Sequence, residues 1–323
     1  MQASSRVSFI DIAKGIGIFL VVIGHSGLRG FMSDWIWSFH MPLFFFISGV
    51  FFDQKKYNTL SRFLTRRLKT LIIPYIYFSI FAFSGFLFLN SEPYVFKVEV
   101  FEYGWEGIAL WFIPVLFATE ILFFILRNWI EENRILLMFL LFISLLGYIL
   151  TYNDIHFSYK LEVVFSSILF YGIGNLSNQL VLVKLPNLSK NNILIIIFFS
   201  LFVNVLMVLI NKPRLDLAWN QIGNYFAGYI GAFSGIILII SISLLLKYFH
   251  CKFINIIIYI GQNTFIVLAC HQLFSVMLRK YINNLPISSP ISMILRHLLL
   301  WMLLLLFVEI VNRYLPWVLS RKK

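Results

Sequence analysis

The sequence predicts an all-α, polytopic membrane protein of about ten transmembrane helices, with both termini cytoplasmic. Three observations carry this reading. The first is composition: 60% of the 323 residues are hydrophobic and only 12% are charged, whereas soluble domains carry about 25% charged residues. The second is run length. A helix needs about 20 apolar residues to cross a bilayer, and stretches such as ILIIIFFSLFVNVLMVLI are continuous, without the alternation of a membrane β-barrel. The third is charge placement. With the N-terminus inside, most of the 26 Lys and Arg residues fall in the inner segments, as the positive-inside rule requires.

The predicted spans are, in order, about 9–27, 35–52, 70–90, 107–126, 134–151, 161–180, 192–210, 225–246, 254–278 and 291–312. The segments between them are short, so residues 1–323 are expected to form a single integral-membrane domain without an attached soluble one. The first span is expected to be a membrane helix rather than a signal peptide: no small-x-small site follows it, and Asp11 and Lys14 interrupt its apolar run. The net charge of +12 reads as a topology signal that also suits anionic lipid. Nucleic acid is not expected as a partner, because no basic folded domain is read in the sequence to hold it. Cys251 and Cys270 make neither a disulfide framework nor a metal site. No metal-ligand spacing is visible among the His and acidic residues.

Ionisable residues inside spans are rare and point to function. In the first span Asp11 and Lys14 stand at i, i+3 and can pair; a structural ion pair is the plain alternative to a binding role. Lys14 and His25 are eleven residues apart, close to three helical turns, and so face one side about 16 Å apart. His25 lies in IGHSG, where Gly24 and Gly27 allow backbone and substrate to come close. His40 stands near the outer end of the second span, and Ser48 and Gly49 suit close helix packing.

The segment joining the second and third spans holds six basic residues. Arg62, Arg66 and Lys69 recur at i, i+4, i+7, which lines one helix face, and Arg67 lies beside them. Such a row suits a phosphate-rich donor; positive-inside charge is the alternative. Pro74 follows, where it can bend the third span. The fourth span carries Trp111, Phe112 and Glu120, with Glu120 expected to be paired or protonated. The ninth adds Gln262, Asn263, Thr264 and His271, the last at a depth comparable with His25. An outer loop with Glu92, Glu99, Glu102 and Glu106 among aromatics suits either carbohydrate contact or plain charge bias.

Four early stretches, IDIAKGIGIFLVVIGHS, FHMPLFFFISG, RRLKTLIIPY and LWFIPVLFATE, and the late FIVLACHQLF resemble in order and spacing the integral-membrane acyltransferase 3 family, most closely its fucose 4-O-acetylase-like members. The resemblance implies ten helices and an enzyme that acylates hydroxyl groups of envelope molecules. His25 matches the family's essential histidine, and Lys14 a position usually occupied by arginine. On that basis the catalytic candidates are His25, Glu120 and His271. Lys14, Arg62, Arg66, Arg67 and Lys69 are expected to bind the donor, and Asp11, His40, Trp111 and Phe112 to contact substrate. The expected donor is cytoplasmic acyl-coenzyme A, with acetyl the expected acyl group, and no cofactor is bound permanently. The acceptor is a glycan or lipid-linked sugar. The expected location is a bacterial inner membrane. His25 would serve as general base or as acyl carrier; either role starts from a neutral ring. The rival readings are a transporter or flippase, a glycosyltransferase that works on lipid-linked sugars, and a structural subunit of an export complex. Oligomeric state is not legible.

Overall fold

The computed structural model describes residues 8–57, 59–89, 108–249, 251–282 and 289–320, apart from the side chains of 289 and 290. The acidic loop with Glu92, Glu99, Glu102 and Glu106 lies outside the described residues. Within them the chain is helical, and extended pairing is limited to a bridge between Asp216 and Gln221. The α-helices are α1 Ser8–Gly24, α2 Phe31–Trp37, α3 His40–Val50, α4 Leu60–Arg67, α5 Ile73–Leu89, α6 Phe112–Trp129, α7 Asn133–Tyr152, α8 Glu162–Leu176, α9 Lys190–Ile210, α10 Tyr225–Leu246, α11 Lys252–Gln262, α12 Thr264–Ile282 and α13 Ser289–Tyr314.

Among the described residues, seven helical stretches are long and apolar enough to cross a membrane, or eight if the bent pair Ser158–Leu176 and Leu180–Asn187 is one crossing. By length and composition these stretches are those of a multi-pass membrane protein. The helices sort into two layers. In α6 and α10, 61% and 67% of the apolar window is buried, against 22% in α7, α9 and α13. The outer layer turns large side chains outward, Phe88 at 81% and Phe198 at 75% exposure. In water such surface would be a liability; against lipid it is the expected solvent face.

Three expected spans that the structure interrupts build the centre, although α12, the second part of the ninth, is itself long enough to cross. The first, read as 9–27, is a 17-residue helix that stops at Gly24. Gly27 has φ 89°, a left-handed conformation that glycine adopts without steric cost and that breaks the helix. The second, read as 35–52, is two helices. They part at Phe39, whose φ of −141° is not helical. The imidazole of His40 spans that break, with Nδ1 2.9 Å from the Ile36 carbonyl.

The ninth span, read as one helix over 254–278, is broken at Asn263 into α11 and α12. The freed polar groups are taken up by side chains. Asn263 donates to the Tyr259 carbonyl at 2.8 Å and accepts from Asn312 of α13 at 3.0 Å, and Gln262 donates to Asp11 of α1 at 3.2 Å.

The basic segment before the third span is itself helical and continuous with that span: α4, a wide π-type turn Leu68–Ile72 and α5 run together from Leu60 to Leu89. Pro74 explains the wide turn. It lacks an N–H and crowds the carbonyl four residues earlier, so the ladder opens just before it. α4 is started by Thr59, whose Oγ1 accepts the Arg62 N–H at 3.3 Å. It is docked by Phe63, which stacks on Phe124 of α6 at 4.6 Å between ring centroids.

Candidate active site

The centre is a seam between α1 and α12. Lys14, Ile18 and Val22 of α1 and His25 in the turn that follows it recur at three- to four-residue spacing; on α12, Thr264, Leu268, His271 and Ser275 do the same and share a face. Two clefts open along this seam. The larger is lined by Lys14, Ile18, Thr264 and Leu268, with Phe44 and Phe112 behind them. The other is a narrow cleft lined by Val22, His25, His271 and Ser275, with Arg279 and Arg296 at its edge. Ile18 belongs to one cleft and Val22 to the other, so the two are separated by one helical turn, about 5 Å.

At the second cleft the imidazoles of His25 and His271 lie 5.3 Å apart between ring centroids. His271 is buried, and its Nδ1 sits 2.9 Å from the Leu268 carbonyl and 3.1 Å from that of Val267. Carbonyls only accept, so Nδ1 carries the proton, and Nε2 is a bare acceptor pointing away from the helix backbone. That Nε2 is buried and has no hydrogen-bond partner among the described residues. His25 is reached from the other side by Gln272, whose amide nitrogen is 3.4 Å from His25 Nδ1.

Trp37 packs its edge against both His25 and His40, at 5.4 and 5.2 Å. Arg214, from the loop after α9, lies over the Trp37 ring at 4.4 Å and donates to Ser33 Oγ at 2.7 Å. His40 is therefore near the pair but buried behind Trp37, with one nitrogen committed to the helix break.

At the first cleft Lys14 Nζ is 2.6 Å from Asp11, which also accepts from Gln262. Asp11 is thus held at the junction of α1 with the α11–α12 break, and Lys14 is the cation presented to the cleft. Phe112 lines the same cleft, while Trp111 is buried against Phe112. Leu71, one turn beyond Arg67, also lines it, so the basic helix adjoins the Lys14 end. Arg62, Arg66 and Lys69 are exposed on that helix, with Arg66 over the Tyr57 ring at 5.7 Å.

Arg67 and Glu120 stand apart from the other expected site residues. Arg67 turns inward and forms an ion pair with the buried Glu120 carboxylate, beside Tyr171. The structure therefore groups Glu120 with Arg67, not with His25 and His271. The sequence reading missed Gln272, Trp37 and Arg214. Gln272 follows His271 directly, and Trp37 precedes His40 by three positions; a polar or aromatic residue beside or one turn from a buried histidine was the signal. Arg214 read only as loop charge.

The family described as an acyltransferase domain matches residues 7–319 of the chain. No curated protein and no solved structure matches it.

Proposed function

Because the chain belongs to the acyltransferase domain family, we propose that it is a membrane O-acyltransferase that moves an acyl group, acetyl in the first instance, from acyl-coenzyme A to a hydroxyl of a cell-envelope glycan or lipid-linked sugar. The observation that carries the reading is the seam. One end holds the Lys14 cleft beside a helix with exposed cations, and the other holds His25 and His271 as a close pair with an imidazole nitrogen unpartnered among the described residues.

In this reading the donor's phosphates lie against Lys14, Arg62, Arg66 and Lys69, and its extended arm reaches along α1 towards the histidines. The acceptor enters at the His25 end, past Trp37 and Arg214. The alcohol oxygen attacks the thioester carbonyl; its proton passes to an imidazole and then to the departing thiolate. Proton transfer of this kind is worth about 10²–10⁴-fold in rate, and a donor at the developing oxyanion about 10²–10³-fold. A bacterial inner membrane fits the chemistry, since it separates cytoplasmic acyl-coenzyme A from envelope glycans.

Purified protein in nanodiscs, given radiolabelled acetyl-coenzyme A and a panel of envelope glycans, tests this. Labelled product and free thiol are expected from wild type and not from His25→Ala. Equal product from both removes the histidine from the reaction. Two clefts on one seam, parted by a single turn, would also suit a carrier; translocation of sugar or lipid without thiol release would decide for that alternative.

A further inference from the structure

Gln272 is placed to decide which of the two histidines takes the proton. It is buried between α12 and the 3-10 turn Ala109–Trp111 that begins the fourth span. Its Oε1 accepts the Ala109 backbone N–H at 2.5 Å. A backbone N–H can only donate, so the amide cannot be flipped without losing that bond. The NH2 group must then face His25 Nδ1, 3.4 Å away. An amide NH2 can only donate as well, so His25 Nδ1 is held as an acceptor, and the neutral ring carries its proton on Nε2. His271 is held in the opposite tautomer by the Val267 and Leu268 carbonyls, with the proton on Nδ1 and the lone pair on Nε2.

We propose that Gln272 is a positioning residue that divides the work of the pair: it keeps His25 as a hydrogen-bond donor through Nε2–H and leaves His271 Nε2 as the proton acceptor. This rests on the acyltransferase reading for its chemical meaning, not for its geometry. As the acceptor hydroxyl forms its C–O bond to the thioester carbon, its proton moves to His271 Nε2. His25 Nε2–H then holds the carbonyl oxygen as it becomes an oxyanion. When the tetrahedral species collapses, the C–S bond breaks and the thiolate takes the proton from His271. The ester and the free thiol are the only products. The turn before Trp111 acquires a role in this scheme as the anchor that keeps Gln272 oriented.

The test has two parts. In protein labelled with 15N-histidine and held in nanodiscs at a pH where the rings are neutral, the nitrogen shifts separate protonated from bare ring nitrogens. His25→Gln and His271→Gln assign the signals. The expected spectrum has His25 protonated at Nε2 and His271 at Nδ1; His25 protonated at Nδ1 overturns the proposal. Gln272→Glu then keeps an oxygen for the Ala109 N–H but sets an acceptor against His25 Nδ1. It should move the proton to Nδ1 and lower kcat by about 10²–10³-fold, with KM for acetyl-coenzyme A nearly unchanged. A tautomer that moves while kcat holds at the wild-type value also overturns it. If Gln272→Glu does not fold, the wild-type spectrum decides alone. If wild type transfers no acetyl group to any glycan yet His25 is protonated at Nε2, the acyltransferase reading fails and the tautomer assignment stands.

Discussion

Glu120 on α6 and Arg67 at the end of α4, 53 residues apart in sequence, meet as a buried ion pair that pins the basic helix to the helical core. Removing one partner of such a pair leaves the other charge buried and costs about 3–5 kcal/mol, whereas replacing both by apolar groups is often tolerated. Glu120→Ala should therefore lower the thermal unfolding midpoint in detergent markedly, and Arg67→Met with Glu120→Leu should recover much of the loss. A Glu120→Ala protein as stable as wild type would show the pair to be idle.

Lys14 presents its charge to the larger cleft while paired with Asp11 at 2.6 Å. Lys14→Met combined with Asp11→Asn removes both charges and leaves none unpaired. If Lys14 holds a donor phosphate, this variant should raise KM for acetyl-coenzyme A by about 10–100-fold, the equivalent of the roughly 1.5–3 kcal/mol of a hydrogen bond to a charged group, and leave kcat close to wild type. Steady-state kinetics separate the two constants.

α3 and α8 cross through glycines. A Cβ on Gly49 would overlap the Tyr171 carbonyl, and one on Gly174 would overlap the Phe46 carbonyl. Asn175 closes the contact by donating to the Phe52 carbonyl at 2.9 Å. Overpacking of this kind costs about 1–3 kcal/mol. Gly49→Ala should thus reduce the fraction of monodisperse protein after extraction and lower the unfolding midpoint, while Ser48→Ala, facing the cleft, should leave the midpoint unchanged.

His156, in the loop between α7 and the next helical segment, has one ring nitrogen 3.0 Å from Asp154 and the other 3.3 Å from the buried Glu162. Partial burial opposes the charged ring, but these carboxylate hydrogen bonds outweigh it and raise the pKa above its usual 6.5. The folded chain therefore holds a proton that the unfolded chain releases. The stabilisation is full below about pH 6.5 and is lost as pH rises through the folded value. The gap in unfolding midpoint between wild type and His156→Gln should be widest at low pH and close on the alkaline side. A gap that is constant with pH would assign the contact to packing alone.

The sequence was most legible where one helix supplied both partners. Asp11 with Lys14 follows from 3.6 residues per turn and is an ion pair in the structure. Pro74 announced a disturbed helix and the structure has one, though just before the proline. It was least legible where a partner came from elsewhere. Glu120 read equally well as a catalytic group or as an anchor until Arg67 was seen beside it. Arg67 itself had looked like its exposed neighbours Arg66 and Lys69.

By itself the sequence determined that this chain lives in lipid, because only a bilayer satisfies so many long apolar runs, and it determined the helical faces, because periodicity fixes them locally. Only the tertiary structure decided where those runs break: His40 meets the Ile36 carbonyl locally at Phe39, but the break at Asn263 is met by Asn312 and Asp11 from other helices. It alone decided what meets His25 Nδ1, since the Gln272 amide and the Ala109 backbone N–H that orients it come from positions far from residue 25. Hydrogen-bond partners distant in sequence leave no periodic trace in it.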